Sequence, residues 1–106
     1  MIMQQNPITP IVGMPCCKVY YTDRYPYTVT GIRERNGVVV EVYVVENNYK
    51  VLDHYGEEYE ILEVNTLTEP EAFTIRKNGR WVLKGQPQNG IALALNTHAM
   101  RIDPSF

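Results

Sequence analysis

Three Asn-Gly dipeptides, Asn36-Gly37, Asn78-Gly79 and Asn89-Gly90, punctuate runs of β-branched and aromatic residues, and this constrains the fold more than any other feature. Asparagine and glycine tolerate the positive φ angles that a tight hairpin turn demands. A chain punctuated this way folds as hairpins. A two-residue turn at Asn36-Gly37 pairs Arg35 with Val38, Arg33 with Val40, Gly31 with Val42, Val29 with Val44 and Tyr27 with Glu46. That register makes the valine face the core side, with Arg33 and Arg35 over its rim. Thr28, Thr30, Glu34, Glu41 and Tyr43, with Ile32, Val39 and Val45 between them, then form a half-wet face. At Asn78-Gly79 the same arithmetic pairs Lys77 with Arg80, Arg76 with Trp81, Ile75 with Val82 and Phe73 with Lys84. Further strands are expected near 17–22, 57–64, 91–95 and 98–102. No segment combines helical periodicity with helical start and stop signals, and only Glu57 to Val64 is ambiguous. The expected fold is all-β, a small antiparallel β-barrel or compact sandwich of SH3-like size.

Composition narrows the class. With 106 residues, 44% hydrophobic and 21% charged, the chain fits one globular domain and is too apolar for disorder. No apolar run approaches the roughly 20 residues of a membrane-spanning helix. No basic stretch precedes an apolar one at the N-terminus, so a cytoplasmic location is expected. Cys16 and Cys17 are adjacent, a spacing that strains a mutual disulfide and suits reduced thiols. Residues 1–15, with Pro7, Pro10 and Pro15, read as an extended arm ahead of a single β domain over 16–106. The arm either stays mobile or buries Ile8, Ile11 and Val12 on its own domain or on a second subunit.

Charge is segregated. From Asp53 to Glu71 there are acids and no Lys or Arg, whereas from Ala72 to Ile102 there are Arg76, Lys77, Arg80, Lys84 and Arg101 and no acid. In the expected register Lys77 faces Arg80, and like charges directly opposite are destabilising without a counter-charge. Three answers stand: a solvated turn, the acidic stretch 57–71 folded alongside, or a bound anion held by Arg76, Lys77 and Arg80 with Trp81 as a stacking surface. Trp81 alone reads more readily as core than as a ligand platform. A second constellation, Tyr20-Tyr-Thr-Asp-Arg-Tyr-Pro-Tyr27, sets tyrosines around an Asp-Arg pair. Tyr21 and Tyr25 are candidate stacking rings and Arg24 a candidate orienting cation, whereas Tyr27 reads as core.

Catalysis is not expected. Cys16, Cys17, His54 and His98 lack any recognised nucleophile or metal-ligand spacing, no glycine-rich phosphate loop is present, and no cofactor or metal is implied. An acidic pI of about 5.6 disfavours nucleic acid as a partner, although a local basic face would suit short single strands.

Four blocks, Val12-Gly-Met, Tyr21-Thr-Asp-Arg-Tyr-Pro-Tyr-Thr-Val29, Phe73-Thr-Ile-Arg-Lys-Asn-Gly-Arg-Trp-Val82 and Asp103-Pro-Ser-Phe106, carry a resemblance. In these the chain resembles a family of small, largely uncharacterised proteins of tailed bacteriophages and prophages. The resemblance runs from about residue 12 to the end and is weak between 38 and 72. It implies a phage accessory protein and supplies no catalytic residues. By analogy such a protein acts by binding in the host cytoplasm, either sequestering a small anionic, nucleotide-derived defence signal or blocking a host or phage protein. A barrel this small has little interior room, so the ligand site is expected at a homo-oligomer interface.

Overall fold

The computed structural model describes residues 8–20, 22–53 and 58–98. Every regular element among them is a strand: β1 (Pro15–Val19), β2 (Arg24–Arg35), β3 (Val38–Val51), β4 (Tyr59–Val64), β5 (Glu71–Ile75), β6 (Trp81–Leu83) and β7 (Ala92–Leu95). β2 pairs with both β1 and β3, so β1, β2, β3, β5, β6 and β7 close into a six-stranded antiparallel barrel. β4 is an extra strand, paired to β3 outside the ring. The fold is the all-β barrel that the turn chemistry predicts. Tyr21, the expected strand over 99–102 and the terminal Asp103-Pro-Ser-Phe106 block lie outside the described residues, and His98 is described as non-strand.

Both firm hairpins turn where expected, with different registers. Asn36 and Gly37 have φ of 54° and 80°, the pair of left-handed residues of a type I′ turn. Arg35 faces Val38, and Val29 and Tyr27 face Val44 and Glu46, as expected. Between them two β-bulges intervene, one at Val40 on β3 and one at Thr30 on β2. Arg33 therefore faces Glu41 and Gly31 faces Tyr43, not Val40 and Val42. Each bulge adds one residue to one strand, so the offsets cancel. In between, side chains change face. Val39 joins Val42, Val44 and Val29 in the core, Ile32 packs against it, and Val40 is only half-buried. Arg33 points away from the core to meet Glu41.

At Asn78-Gly79 only Gly79 has positive φ, at 83°. The amide of Gly79 donates to the Arg76 carbonyl (2.9 Å) and that of Arg76 to the Arg80 carbonyl (2.8 Å). This is a three-residue loop, a type I turn closed by a left-handed glycine. It shifts the register by one, pairing Ile75 with Trp81, Thr74 with Val82 and Phe73 with Leu83. Lys77 and Arg80 are consequently not a cross-strand pair, and Lys84 leaves the face of Phe73. Phe73, fully buried, sits with Trp81, Leu93, Cys16 and Tyr27 in the core.

β3 has 14 residues, roughly 45 Å at the usual rise, which is too long for the barrel wall alone. Its first part serves the ring and its last part, from Asn47, pairs with β4. Asn47 is buried at the handover. Its Oδ1 accepts from Thr28 Oγ1 (2.7 Å) on β2 and its Nδ2 donates to the Leu62 carbonyl (2.8 Å) on β4. The arm meets the barrel at its end: the Gly13 amide donates to the Val29 carbonyl and the Val29 amide to the Met14 carbonyl. Pro10 is buried, while Ile8, Ile11 and Val12 are exposed.

The bulged register inverts the ranking that an uninterrupted hairpin implies. Val39→Thr places a hydroxyl in the core and is expected to lower stability by about 1–2 kcal/mol. Val40→Thr is expected to cost less than about 0.5 kcal/mol, both read from urea denaturation midpoints.

Candidate functional site

Arg76 follows Ile75, just beyond β5, and its guanidinium folds back over the hairpin. Nε donates to Thr74 Oγ1 (3.0 Å), Nη1 to the Gln86 carbonyl (2.8 Å) and Nη2 to the Leu83 carbonyl (3.1 Å). Arg76 thus ties the loop after β6 to the hairpin. Lys77 and Arg80 are exposed, and among the described residues no carboxylate stands within ion-pair distance of either. β4, which carries Glu60 and Glu63, pairs with β3 and not alongside this hairpin. Trp81 is a core side chain, only 7% exposed, whose edge lines a surface cavity with Arg76, Lys77, Arg80, Leu93 and Leu95.

Two further cavities among the described residues adjoin it in turn. A neighbouring one of about 340 Å³ is lined by Val19, Tyr20, Arg80, Gln86, Asn89, Gly90, Ile91 and Ala92. Its floor is fixed by Gln86, whose Oε1 accepts from the Ile91 amide (2.8 Å). A Cβ on Gly90 would stand 2.7 Å from Gln86 Cβ, so the close approach requires glycine. The third, of about 520 Å³, opens where β2 and β3 part beyond the Tyr27–Glu46 pair. Tyr20, Tyr25, Tyr27 and Tyr49 line it with Asp23, Glu46 and Asn47. Tyr20 borders the second and third cavities, and Arg80 borders the first and second. The cavity at the basic hairpin and the tyrosine cleft are therefore linked through the one between them, with Tyr20, a ring that the sequence pattern did not single out as a contact, at one junction. Tyr25 lies in the tyrosine cleft, its hydroxyl donating to Asp23 (3.3 Å). Arg24, its neighbour in the strand, points to the opposite face, toward the Cys17 thiol, and lines none of the three.

Two buried ionic clusters complete the picture. Lys18 Nζ is 2.7 Å from Glu71 Oε2 and lies 5.6 and 5.4 Å from the ring centroids of Tyr20 and Tyr27. Burial alone would lower the Lys18 pKa, but hydrogen bonds to Glu71 and Tyr20 hold it above its ordinary value. Glu41, placed by sequence on a half-wet face, is 1% exposed beneath Arg33 (3.4 Å), Lys84 (3.1 Å) and the Tyr43 hydroxyl. The Tyr43 hydrogen bond, aided by Lys84 and Arg33, overcomes burial and holds the Glu41 carboxyl at about 2. Burial and the neighbouring Cys17 push the Cys16 thiol up to about 12, and burial raises Cys17 against the opposing effect of Arg24. Both thiols are inaccessible and protonated at neutral pH. His98 Nε2 donates to the Tyr27 carbonyl (2.9 Å). Among the described residues no three His, Cys, Asp or Glu side chains are grouped to hold a metal ion.

Comparison with family models, curated proteins and solved structures finds no match to this chain.

Arg76→Ala strips charge-assisted hydrogen bonds from two carbonyls and is expected to lower stability by about 2–3 kcal/mol, against less than about 0.5 kcal/mol for Arg80→Ala, in thermal or urea melts. Because the folded-state Glu41 pKa lies below the ordinary value of 4.5, its contribution is complete above that value and is lost as pH falls toward 2. Glu41→Gln should therefore flatten the stability profile between about pH 4.5 and 2, measured by denaturation at stepped pH.

Proposed function

We propose that this chain is a non-enzymatic binding protein that holds a planar, anionic, nucleotide-like molecule against Tyr20 and Arg80. The observation that carries the reading is that these two side chains line one cavity with no carboxylate among the described residues of its wall. About 340 Å³ is at the lower end of small-ligand sites. Arg80 would form a charge-assisted pair with a phosphate, with Lys77 of the adjoining cavity as a second cation. The Tyr20 ring, partly exposed, offers a stacking face, and the Asn89 amide at the rim offers polar contacts to a heterocycle edge. Arg76 and Trp81 would support the site from beneath. The buried, protonated thiols and the hydrogen-bonded His98 favour binding over chemistry.

The setting we propose is that of the tailed-phage proteins the sequence resembles: an accessory protein of the host cytoplasm that sequesters a nucleotide-derived signal. We further propose a homo-oligomer, in which exposed Ile8, Ile11 and Val12 seat the arm against a second copy and close the cavities from outside. A second reading is a protein-interaction module. It draws on the leaf formed by β4 and the distal part of β3, where Tyr49 and Val51 on β3 and Leu62 on β4 are exposed.

Calorimetric titration with adenosine mono- and diphosphate tests the first reading. The Lys77→Ala/Arg80→Ala variant is expected to bind at least about tenfold more weakly while melting within a few degrees of the parent. Unchanged affinity in that variant overturns it. Native mass spectrometry of the purified protein reports subunit number and any retained small molecule. A single protein recovered stoichiometrically from host lysate, with no small molecule retained, selects the interaction module.

A further inference from the structure

We propose that the tyrosine cleft between β2 and β3 is a second binding site, selective for an organic cation of the alkylammonium class. Tyr20, Tyr25, Tyr27 and Tyr49 line a space of about 520 Å³, and Tyr20 and Tyr25 meet edge to face with centroids 5.7 Å apart at 81°. The charged residues in the wall are acids, Asp23 and Glu46, and among the described residues no lysine or arginine lines it. Aromatic faces carry the negative end of the ring quadrupole, so rings and carboxylates here attract the same sign of charge. An anion is repelled from both.

The cleft already lies against a protein cation. Lys18 Nζ sits within 6 Å of the Tyr20 and Tyr27 rings, and Glu71 at 2.7 Å takes up its charge. Glu46 at the rim is held in place by a neutral donor. Glu46 Oε1 accepts from Asn65 Nδ2 (3.2 Å), and the Asn65 amide donates to the Glu46 carbonyl (2.9 Å). Asp23 accepts from the Tyr25 and Thr22 hydroxyls, each at 3.3 Å. Tyr49 is fixed from behind by an edge contact with Tyr59, centroids 6.3 Å apart. A rim of carboxylate over apolar ring walls suits a weakly hydrated ammonium bearing alkyl groups better than a small metal ion, which requires a shell of oxygen ligands.

The test is an NMR titration of the tyrosine ring resonances with choline, with 3,3-dimethylbutan-1-ol as its neutral isostere, and with a short peptide bearing trimethyllysine. Saturable shifts at Tyr25 and Tyr49 are expected with the cations, and the neutral isostere should bind roughly tenfold more weakly. Tighter binding of choline points to a free small molecule, and tighter binding of the peptide to a partner's side chain. Glu46→Gln should weaken choline several-fold and leave the isostere unchanged, while Tyr49→Phe, which keeps the ring, should retain binding. Equal affinity for choline and its isostere, ring resonances that do not shift, or indifference to Glu46→Gln overturns the proposal. The Lys77→Ala/Arg80→Ala variant should bind choline normally, so failure of the anion site and failure of this one are separately visible.

Discussion

β3 belongs to two structures at once, and the rest of the molecule is arranged around that. The hydrogen bonds of its first part, to β2 on one side and β5 on the other, lie within the closed ring, and a ring leaves no edge except where a strand overruns it. β3 overruns. At Asn47 it exchanges one partner for another, and a buried asparagine bonded to both β2 and β4 satisfies the backbone and side-chain groups at the crossing. The same departure separates β2 from β3 beyond Tyr27 and opens the tyrosine cleft. Site and fold thus have a common origin in one strand that is longer than its barrel.

The all-β class and the hairpin positions were legible in the sequence because they rest on local chemistry, the φ preferences of Asn-Gly and the enrichment of β-branched residues. Register was legible only in part. A bulge is a one-residue choice made by packing, and no local signal at Val40 or Thr30 announces it. The cost of missing it is specific: Val39 and Val40 exchange places, Arg33 leaves the core rim, and Glu41 becomes the buried centre of a four-residue cluster. The second hairpin carries the same lesson. Asn78-Gly79 marks the turn, but a type I turn closed by Gly79 uses three loop residues where two were expected, and Arg76 swings onto the Gln86 and Leu83 carbonyls. Trp81 follows it inward. Of the candidate site residues, Lys77, Arg80 and Tyr25 line open cavities. Arg24 faces away, Tyr21 lies outside the described residues, and Tyr20 emerges only when β1 is placed beside β7.

Segregated charge along the chain becomes segregated charge in space, though not by the simple division that composition suggests. Among the described residues the cavity at Arg80 has no acid in its wall, and the cleft at Glu46 has no lysine or arginine. One ring separates them. Tyr20 lies over Lys18, whose charge is paired by the half-exposed Glu71 at 2.7 Å. The preferences of the two cavities are set by their own rims.

β4 is hydrogen-bonded to β3 alone, whereas each strand of the ring has a neighbour on both sides. Breaking that one seam removes no bond from the ring, so the outer leaf can detach in a partial opening while the barrel remains whole. Tyr59, which backs Tyr49, sits on this least anchored strand. The shape of the cleft is therefore coupled to a strand held on one side, and whatever steadies that leaf also steadies the wall at Tyr49.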